Sequence, residues 1–203
     1  MMRNWFLLLF MIISGSLSAQ SSFRKLSAPE KCWVLFHPFK AIKARKTTRA
    51  VMIVVDSVKQ SGLIGVDGNG GKLDAFRHAY WMANLACSIG PKQSRKLGKA
   101  HEKGNYRQFR KHVLEDSALP DSVSCEMDLK NNDAGIKIAA SDRFCLVYTD
   151  LKKEVLEALK NGELFIIRKD PSGTYLACDG SILDMTAWAG KWGIPKCIIP
   201  SGQ

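Results

Sequence analysis

The chain has 203 residues, of which 46% are hydrophobic and 24% charged, and its formal net charge is +11. This length suits one domain with its own core plus a small appendage, and it argues against several large domains. After the N-terminal segment no stretch is long and apolar enough to indicate a membrane-spanning helix, which needs roughly 20 apolar residues. The positive charge favours an anionic partner such as nucleic acid, phospholipid or an acidic envelope polymer, although solubility alone also selects such a charge.

Residues 1–19 have the pattern of a secretory signal peptide. Arg3 gives a positive start, an unbroken apolar core follows, and small residues lead to a cleavage position before Gln20. The apolar core is too short to span a bilayer, and an uncleaved membrane anchor is the alternative. Residues 20–203 are therefore expected to form a secreted or periplasmic protein.

The cysteines of the chain all follow the signal peptide, and their even number fits disulfide bonds in an exported protein. No Cys-x-x-Cys pair occurs, so a structural zinc site is poorly supported. Cys87 stands at helical spacing after several apolar residues and is also compatible with a buried thiol. A Cys178–Cys197 bond would fasten the C-terminal tail, but the sequence does not fix the pairing. The six cysteines are Cys32, Cys87, Cys125, Cys145, Cys178 and Cys197.

An N-terminal arm, residues 20–40, is expected to pack on a helical domain that spans residues 41–168. The first helix of this domain is predicted from Ala41 to Gln60, with Gly62 as its stop. Lysine and arginine crowd the first half of this helix. They usually mark a solvated face, and anion binding is the alternative. The predicted core residues of the helix are Ile42, Ala50, Ile53, Val54 and Val58.

A glycine-rich loop, residues 62–71, leads into a helix predicted from about Lys72 to Ser88. The loop matches neither the phosphate-binding P-loop nor the EF-hand calcium loop. Within the helix, Asp74 and His78 stand one turn apart, where side chains are neighbours, so the carboxylate can orient the imidazole. A general base or a metal-ligating histidine needs this arrangement. A buried structural histidine satisfied by a carboxylate would show the same pattern.

The next helix is predicted to begin at Pro91 and to break at Gly104-Asn105. One side of it is a basic stripe, and His101 projects nearly opposite to that stripe. The pair His101-Glu102 does not complete the zinc-protease motif His-Glu-x-x-His, because its fifth position is occupied by Asn105. This helix is therefore expected to have a wet basic face and an inward-facing histidine.

Polar residues also mark the helix predicted over residues 125–139. Asp128 and Asn132 lie one turn apart on it, with Asn131 beside them. Two adjacent asparagines are unfavourable inside a helix, so their side chains are expected to make specific bonds. These bonds either tie helices together or hold a ligand.

The C-terminal part is predicted to hold an amphipathic helix over residues 149–161, followed by strands at 164–168 and 174–178 that form a β-hairpin. The helical domain is taken to end at residue 168, so residues 169–203 contain the rest of the hairpin and an irregular tail. The predicted architecture is thus mainly α, a compact multi-helix domain with a small C-terminal β-hairpin and an irregular tail.

Several separated motifs can be compared with known families. They are Asp74-Ala-Phe-Arg-His-Ala-Tyr-Trp81, Ala100-His-Glu102, Met127-Asp-Leu-Lys-Asn-Asn-Asp-Ala-Gly135 and residues 155–164. In this order they resemble an uncharacterised bacterial domain family found in exported, toxin-like and other envelope-associated proteins. The resemblance covers roughly residues 66–168. It implies a compact helical domain with the motifs close together, and it implies no established activity.

The resemblance further implies that polar side chains from three helices converge. Such a set can hold a divalent cation or carry acid–base hydrolysis, and it can equally form a fully bonded polar core. The glycine-rich loop and helix are also similar to secreted phospholipase A2, but Ala79 stands where that family has its calcium-binding aspartate. The candidate site residues are Asp74, Arg77, His78, His101, Glu102, Asp128, Asn131 and Asn132.

Two functional hypotheses follow from these observations. The first is an exported hydrolase, metal-assisted or based on His78, that acts on an anionic envelope, lipid or nucleic-acid substrate. The second is a non-catalytic envelope-binding or structural domain, in which the His, Asp and Asn motifs form a buried polar network. The basic stripe of residues 92–103 would then bind an anionic polymer or a membrane surface.

Overall fold

The computed structural model describes residues 23–114, 118–140, 145 and 151–203, so the predicted signal peptide lies outside the described residues. The mainly α fold with a small C-terminal antiparallel strand pair is confirmed. None of the described helices is long and apolar enough to cross a membrane. The main elements are α1 (Ala28–Phe36), α2 (Pro38–Ser61), α3 (Lys72–Ile89), α4 (Pro91–Arg110), α5 (Ser122–Ala140), α6 (Leu151–Lys160), β1 (Phe165–Ile167) and β2 (Ile198–Pro200).

Helix α3 is the centre of the fold, because it packs against α2, α4, α5, α6 and β1. Phe76 and Met82 are completely buried in this core. The chain enters α3 through Gly70, whose φ of 80° lies in the left-handed region that favours glycine. It leaves α3 through Gly90, and Pro91 then begins α4 at once. Both ends of the central helix are therefore set by local sequence.

Helix α5 comes close to α3 at Gly135. A Cβ atom added to this glycine would lie 2.0 Å from the carbonyl oxygen of Ala79. Only glycine therefore permits this approach of the two backbones. The close packing brings the polar residues of α5 next to those of α3.

The inward face of α2 differs from the predicted one. Ile42, Ala50 and Ile53 are exposed, so their assignment to the core is wrong. Val54 is half-buried, and Val58 is buried as predicted. The buried residues of α2 are Ala44, Val51, Val55 and Val58.

Hydrogen bonds to α3 explain which side of α2 faces inward. The Trp81 indole donates to the Thr48 hydroxyl at 2.8 Å, and the Thr47 hydroxyl donates to that of Ser88 at 3.0 Å. Apolar residues follow helical spacing along two different sides of α2. The hydrogen bonds turn the side that carries the threonines towards α3. Apolar residues of the other side remain on the outside of the molecule.

Helix α4 continues to Arg110, so the predicted break at Gly104 is wrong. Gly104 instead makes room for Ser27, the N-cap residue of α1, because a Cβ atom added to it would lie 2.5 Å from the Ser27 hydroxyl oxygen. The glycine therefore serves the packing of α1 on α4. The predicted N-terminal arm thus contains helix α1, which packs on α4.

Two disulfide bonds join Cys87 to Cys145 and Cys178 to Cys197. The second confirms the proposed fastening of the tail, and the first corrects the interpretation of Cys87 as a buried thiol. Cys32 is exposed and stands outside these bonds. The disulfides are consistent with an extracytoplasmic protein.

The C-terminal strand pair differs from the prediction in its second strand. Strand β1 pairs antiparallel with β2, with Ile166 opposite Ile199. The segment 174–178, which was predicted to be the partner, makes only isolated bridges, one between Lys169 and Tyr175 and one between Leu176 and Ile182. The last residues of the chain return to β1 and occupy the place expected for this segment.

The C-terminal tail also supports the start of α5 through Asp121. One oxygen of this carboxylate accepts hydrogen bonds from the backbone N–H groups of Val123 and Ser124, at 2.9 and 3.1 Å, as a helix N-cap residue does. The other oxygen accepts from Lys196 Nζ at 2.7 Å, in a buried ion pair. The position of α5 therefore depends on the tail.

Candidate functional site

Three buried side chains from α3 and α5 meet at one point. His78 Nε2 lies 3.5 Å from Asp74 Oδ1 and 3.4 Å from Asp128 Oδ1. One possible ligand atom from each residue lies within 4.8 Å of the other two. We call Asp74, His78 and Asp128 the Asp–His–Asp cluster.

Asp74 is held in place by its own turn of α3. The Gly70 backbone N–H donates to Asp74 Oδ2 at 2.7 Å, and Arg77 Nη2 donates to Asp74 Oδ1 at 2.6 Å. A carboxylate in the first turn of a helix also interacts favourably with the helix dipole. These contacts fix the carboxylate with Oδ1 towards His78.

Asn132 orients the ring of His78. The distance between His78 Nδ1 and Asn132 Oδ1 is 3.3 Å, and an amide oxygen can only accept, so Nδ1 carries the proton in the neutral ring. Burial lowers the pKa of His78 well below its usual value, and the charges of Arg77 and His101 lower it further. The neutral ring therefore presents the lone pair of Nε2 to the two carboxylates.

The cluster has the composition of a metal site. A lone pair that faces two carboxylates is unfavourable unless a proton or a metal cation stands between them. Tetrahedral ligands about 2.1 Å from a zinc ion lie about 3.4 Å from each other, close to both His78 distances. Two carboxylates and an imidazole suit a divalent transition metal, and three protein ligands leave a coordination position for water or substrate.

A small cavity adjoins the cluster, with Asp74, Arg77, Asn105 and Asp128 in its wall. Its volume of about 30 Å³ is enough for one water molecule or small ion. The guanidinium of Arg77 is the positive group of this wall. The cavity therefore brings Arg77 next to the two carboxylates of the cluster.

The His101–Glu102 pair of α4 lies beside the cluster. The ring centroids of His78 and His101 are 6.3 Å apart, and His101 Nδ1 is 3.1 Å from Glu30 Oε1. Glu102 is buried and accepts a hydrogen bond from the Asn105 side chain at 3.0 Å. The three predicted segments therefore come together, with α4 in the surrounding shell.

Glu30 is a neighbour of the site that the sequence analysis missed. Its burial raises the pKa of this carboxyl, but the hydrogen bond and charge of His101 and the hydrogen bonds of Ser27 outweigh burial, so the pKa is lowered. Ser27 and Glu30 form a capping box at the start of α1. The spacing Ser-x-x-Glu is a sequence signal for this motif and could have identified the helix.

Asn131 lies outside the cluster. Its side-chain nitrogen donates to the Phe165 carbonyl oxygen at 2.9 Å, and its side-chain oxygen accepts from the Phe165 N–H at 2.8 Å. It thus binds α5 to β1 and satisfies the backbone of a strand. Of the two adjacent asparagines, Asn132 contacts the cluster, whereas Asn131 joins α5 to β1.

Replacement of Asn131 by alanine is expected to lower the free energy of unfolding by about 2 kcal/mol, because two hydrogen bonds are lost and backbone groups of Phe165 are left buried. Urea denaturation followed by far-UV circular dichroism would measure the change. A loss below about 0.5 kcal/mol would contradict this role, since it would be smaller than one typical hydrogen bond.

Comparison with known proteins adds one finding. A family model described as a domain of unknown function (DUF6973) matches residues 31–163. The matched range contains the whole Asp–His–Asp cluster together with His101, Glu102 and Asn132. No curated protein and no solved structure matches the chain.

Proposed function

Because the chain belongs to the DUF6973 family, a domain of unknown function, we propose its function from the site itself: an exported, metal-assisted hydrolase that acts on anionic esters. Membership agrees with the resemblance to an uncharacterised domain family. The observation that carries the proposal is the position of His78 Nε2, 3.5 and 3.4 Å from carboxylate oxygens of Asp74 and Asp128. An unprotonated nitrogen between two acids is a ligand set for a divalent cation.

Each residue has a distinct role in this proposal. Asp74, His78 and Asp128 are the ligands, and Asn132 fixes the ring of His78 as an outer partner. A divalent metal held by these residues would lower the pKa of its water ligand and so supply a nucleophile at neutral pH. Arg77 lines the same cavity and is bonded to Asp74; the exposed part of its side chain would attract the negative group of the substrate from outside the cavity.

The substrate class follows from charge. The formal net charge of +11 favours anionic molecules, and a guanidinium pairs well with phosphate oxygens. On charge, a phosphate ester of an envelope lipid, an envelope polymer or a nucleic acid is therefore the substrate class that we propose. These are the substrates to compare in an assay.

Metal uptake tests the proposal directly. Protein stripped with a chelator and titrated with Zn²⁺ in a calorimeter is expected to bind one equivalent. His78→Ala removes a ligand and is expected to weaken binding by more than about 100-fold, whereas Asn132→Ala removes only an outer partner and should weaken it by about 10- to 100-fold. All samples carry Cys32→Ser, so that the exposed thiol does not bind the metal.

The outcome that would contradict metal binding is a folded parent protein that takes up no Zn²⁺ and no Mn²⁺. Equal affinities of the parent and His78→Ala would also contradict it, because the ion would then bind elsewhere. Far-UV circular dichroism of each variant checks that a lost affinity does not reflect unfolding.

A second candidate function is favoured by the burial of the cluster. Asp74 and His78 are each 4% exposed and Asp128 is 6% exposed, as expected for a polar network in the core of a non-catalytic binding domain. In this case the metal titration shows no uptake, and Asp128→Asn changes stability alone. The same experiment therefore separates the two functions.

A further inference from the structure

The outer surface at the junction of α1 and α2 is strongly apolar. Leu35, Phe36, Phe39 and Ile42 are between 71% and 84% exposed. Single exposed hydrophobic residues are ordinary, but a concentration of large ones within eight positions marks an interaction surface. Ile53 is also exposed and lies on the same face of α2 as Phe39 and Ile42. We call these five residues the outer apolar face.

The chain around the outer apolar face is basic. Residues 31–55 contain six lysines and arginines and no aspartate or glutamate. Four of these basic residues are exposed on α2, where they alternate with the apolar ones. They are Lys40, Lys43, Lys46 and Arg49.

We propose that the outer apolar face binds the surface of an anionic phospholipid bilayer. Phe39, Ile42 and their apolar neighbours would enter the boundary between headgroups and acyl chains, as in helices that lie in the membrane interface. Lys43, Lys46 and Arg49, which lie on the side of α2 nearest to Ile42, would contact the negatively charged headgroups. Helix α2 thus lies along the membrane surface and does not cross it.

Charge and hydrophobicity together select this partner. A second copy of the chain would bring one basic face against another, and like charges repel. Nucleic acid would pair with the basic residues, but most of its contacts are to phosphate and sugar, which give exposed Leu, Ile and Phe side chains little to bind. An anionic bilayer can bind the apolar side chains and the basic residues at the same time.

Because α2 is fixed to the core, bilayer binding through this helix would orient the whole domain. The opposite side of α2 is fixed to α3 by the Trp81–Thr48 and Thr47–Ser88 hydrogen bonds. Bilayer binding through the outer apolar face would therefore hold α3, which carries Asp74 and His78, in a fixed orientation to the membrane. The inference does not depend on the proposed hydrolase activity, because the outer apolar face contains no member of the Asp–His–Asp cluster.

The charge component is tested by co-sedimentation with vesicles of phosphatidylcholine, alone or mixed with phosphatidylglycerol. The parent should bind the mixed vesicles more tightly. Each lysine or arginine near an anionic surface contributes about five-fold to partitioning, so the triple variant Lys43→Glu, Lys46→Glu, Arg49→Glu is expected to lose about 100-fold or more. The matched control reverses three lysines of α4 and has the same net charge. It carries Lys92→Glu, Lys96→Glu and Lys103→Glu.

An equal loss in the α4 control would overturn the proposal, because binding would then follow net charge or the basic side of α4. Equal binding of the parent to both kinds of vesicle would overturn it as well. All variants share the same N-terminal residues, so a difference between them belongs to the substituted surface.

The apolar component is tested with Phe39→Ser combined with Ile42→Ser. Its control, Leu63→Ser with Val66→Ser, removes two other exposed apolar side chains beyond the end of α2. Only the first pair should lose the binding that persists at high salt, because salt screens charge contacts but not insertion. If that pair instead turns a dimer into a monomer in sedimentation analysis, with vesicle binding unchanged, the face is a self-association surface and the proposal fails.

Vesicle binding and hydrolysis can fail separately. Asp128→Asn should bind mixed vesicles as the parent does, whatever its effect on metal uptake. A parent without hydrolase activity that still binds through α2 would refute only the proposed function. A parent that hydrolyses a soluble phosphate ester but ignores vesicles would refute only the membrane proposal.

Discussion

Asp128→Asn is expected to lower kcat for a phosphate diester by about a thousand-fold or more, because water without a metal ion is a far weaker nucleophile at neutral pH. Asparagine keeps the size of the side chain but removes the negative charge with which a carboxylate binds a divalent cation. The release of nitrophenol from bis(nitrophenyl) phosphate in the presence of Zn²⁺ measures the effect. Phospholipid vesicles and single-stranded DNA are assayed in parallel to identify the natural substrate class.

Asp133→Asn is the matched control for this experiment. Asp133 lies on the same helix but on the surface, where it pairs with Arg95 at 2.8 Å. An exposed ion pair contributes little to stability, so this variant should keep the activity of the parent within about two-fold. If Asp128→Asn is as active as Asp133→Asn, Asp128 is not a ligand. If the parent is inactive on every substrate and binds no metal, the buried-network function stands instead.

Gly135→Val is expected to have the largest effect on folding, with a loss of more than about 3 kcal/mol in the free energy of unfolding. A Cβ atom at this position would lie 2.0 Å from the Ala79 carbonyl oxygen, so α5 would have to move away from α3. The displacement would also separate Asp128 from His78. Urea denaturation, or the soluble yield when the protein no longer folds, measures this loss.

Gly193→Val controls for the general cost of replacing glycine. No atom lies within 4 Å of a Cβ built on Gly193, and its φ is not in the left-handed region. This variant should stay within about 1 kcal/mol of the parent, as most surface substitutions do. Equal stability of the two variants would mean that α3 and α5 do not need their close contact.

The sequence predicts best what depends on neighbours along the chain. Glycine and proline at the ends of α3 place this helix to within one residue of its observed bounds. The spacing of Asp74 and His78 predicts their contact, since side chains four residues apart on a helix lie on one face. The meeting of α3 with α4 and α5 was implied by the resemblance and could not be obtained from the spacing.

Tertiary contacts account for the incorrect predictions. Ile42 and Ile53 have the spacing of a core stripe, but bonds from Thr47 and Thr48 to α3 turn the other side inward. Gly104 looks like a helix stop until the packing of Ser27 on α4 is known. The partner of Cys87 and the second strand of the sheet depend on distant segments, and no local pattern encodes such pairs.

The ion pair between Asp121 and Lys196 shows that the detected family region is shorter than the folding unit. The matched region ends at residue 163, yet Lys196 neutralises the buried carboxylate at the start of the helix that carries Asp128. A fragment trimmed to the matched region would leave this carboxylate without its counter-ion, which is costly for a buried charge. Proteolytic removal of the tail is therefore expected to disturb the helix that carries Asp128 without a cut near that residue.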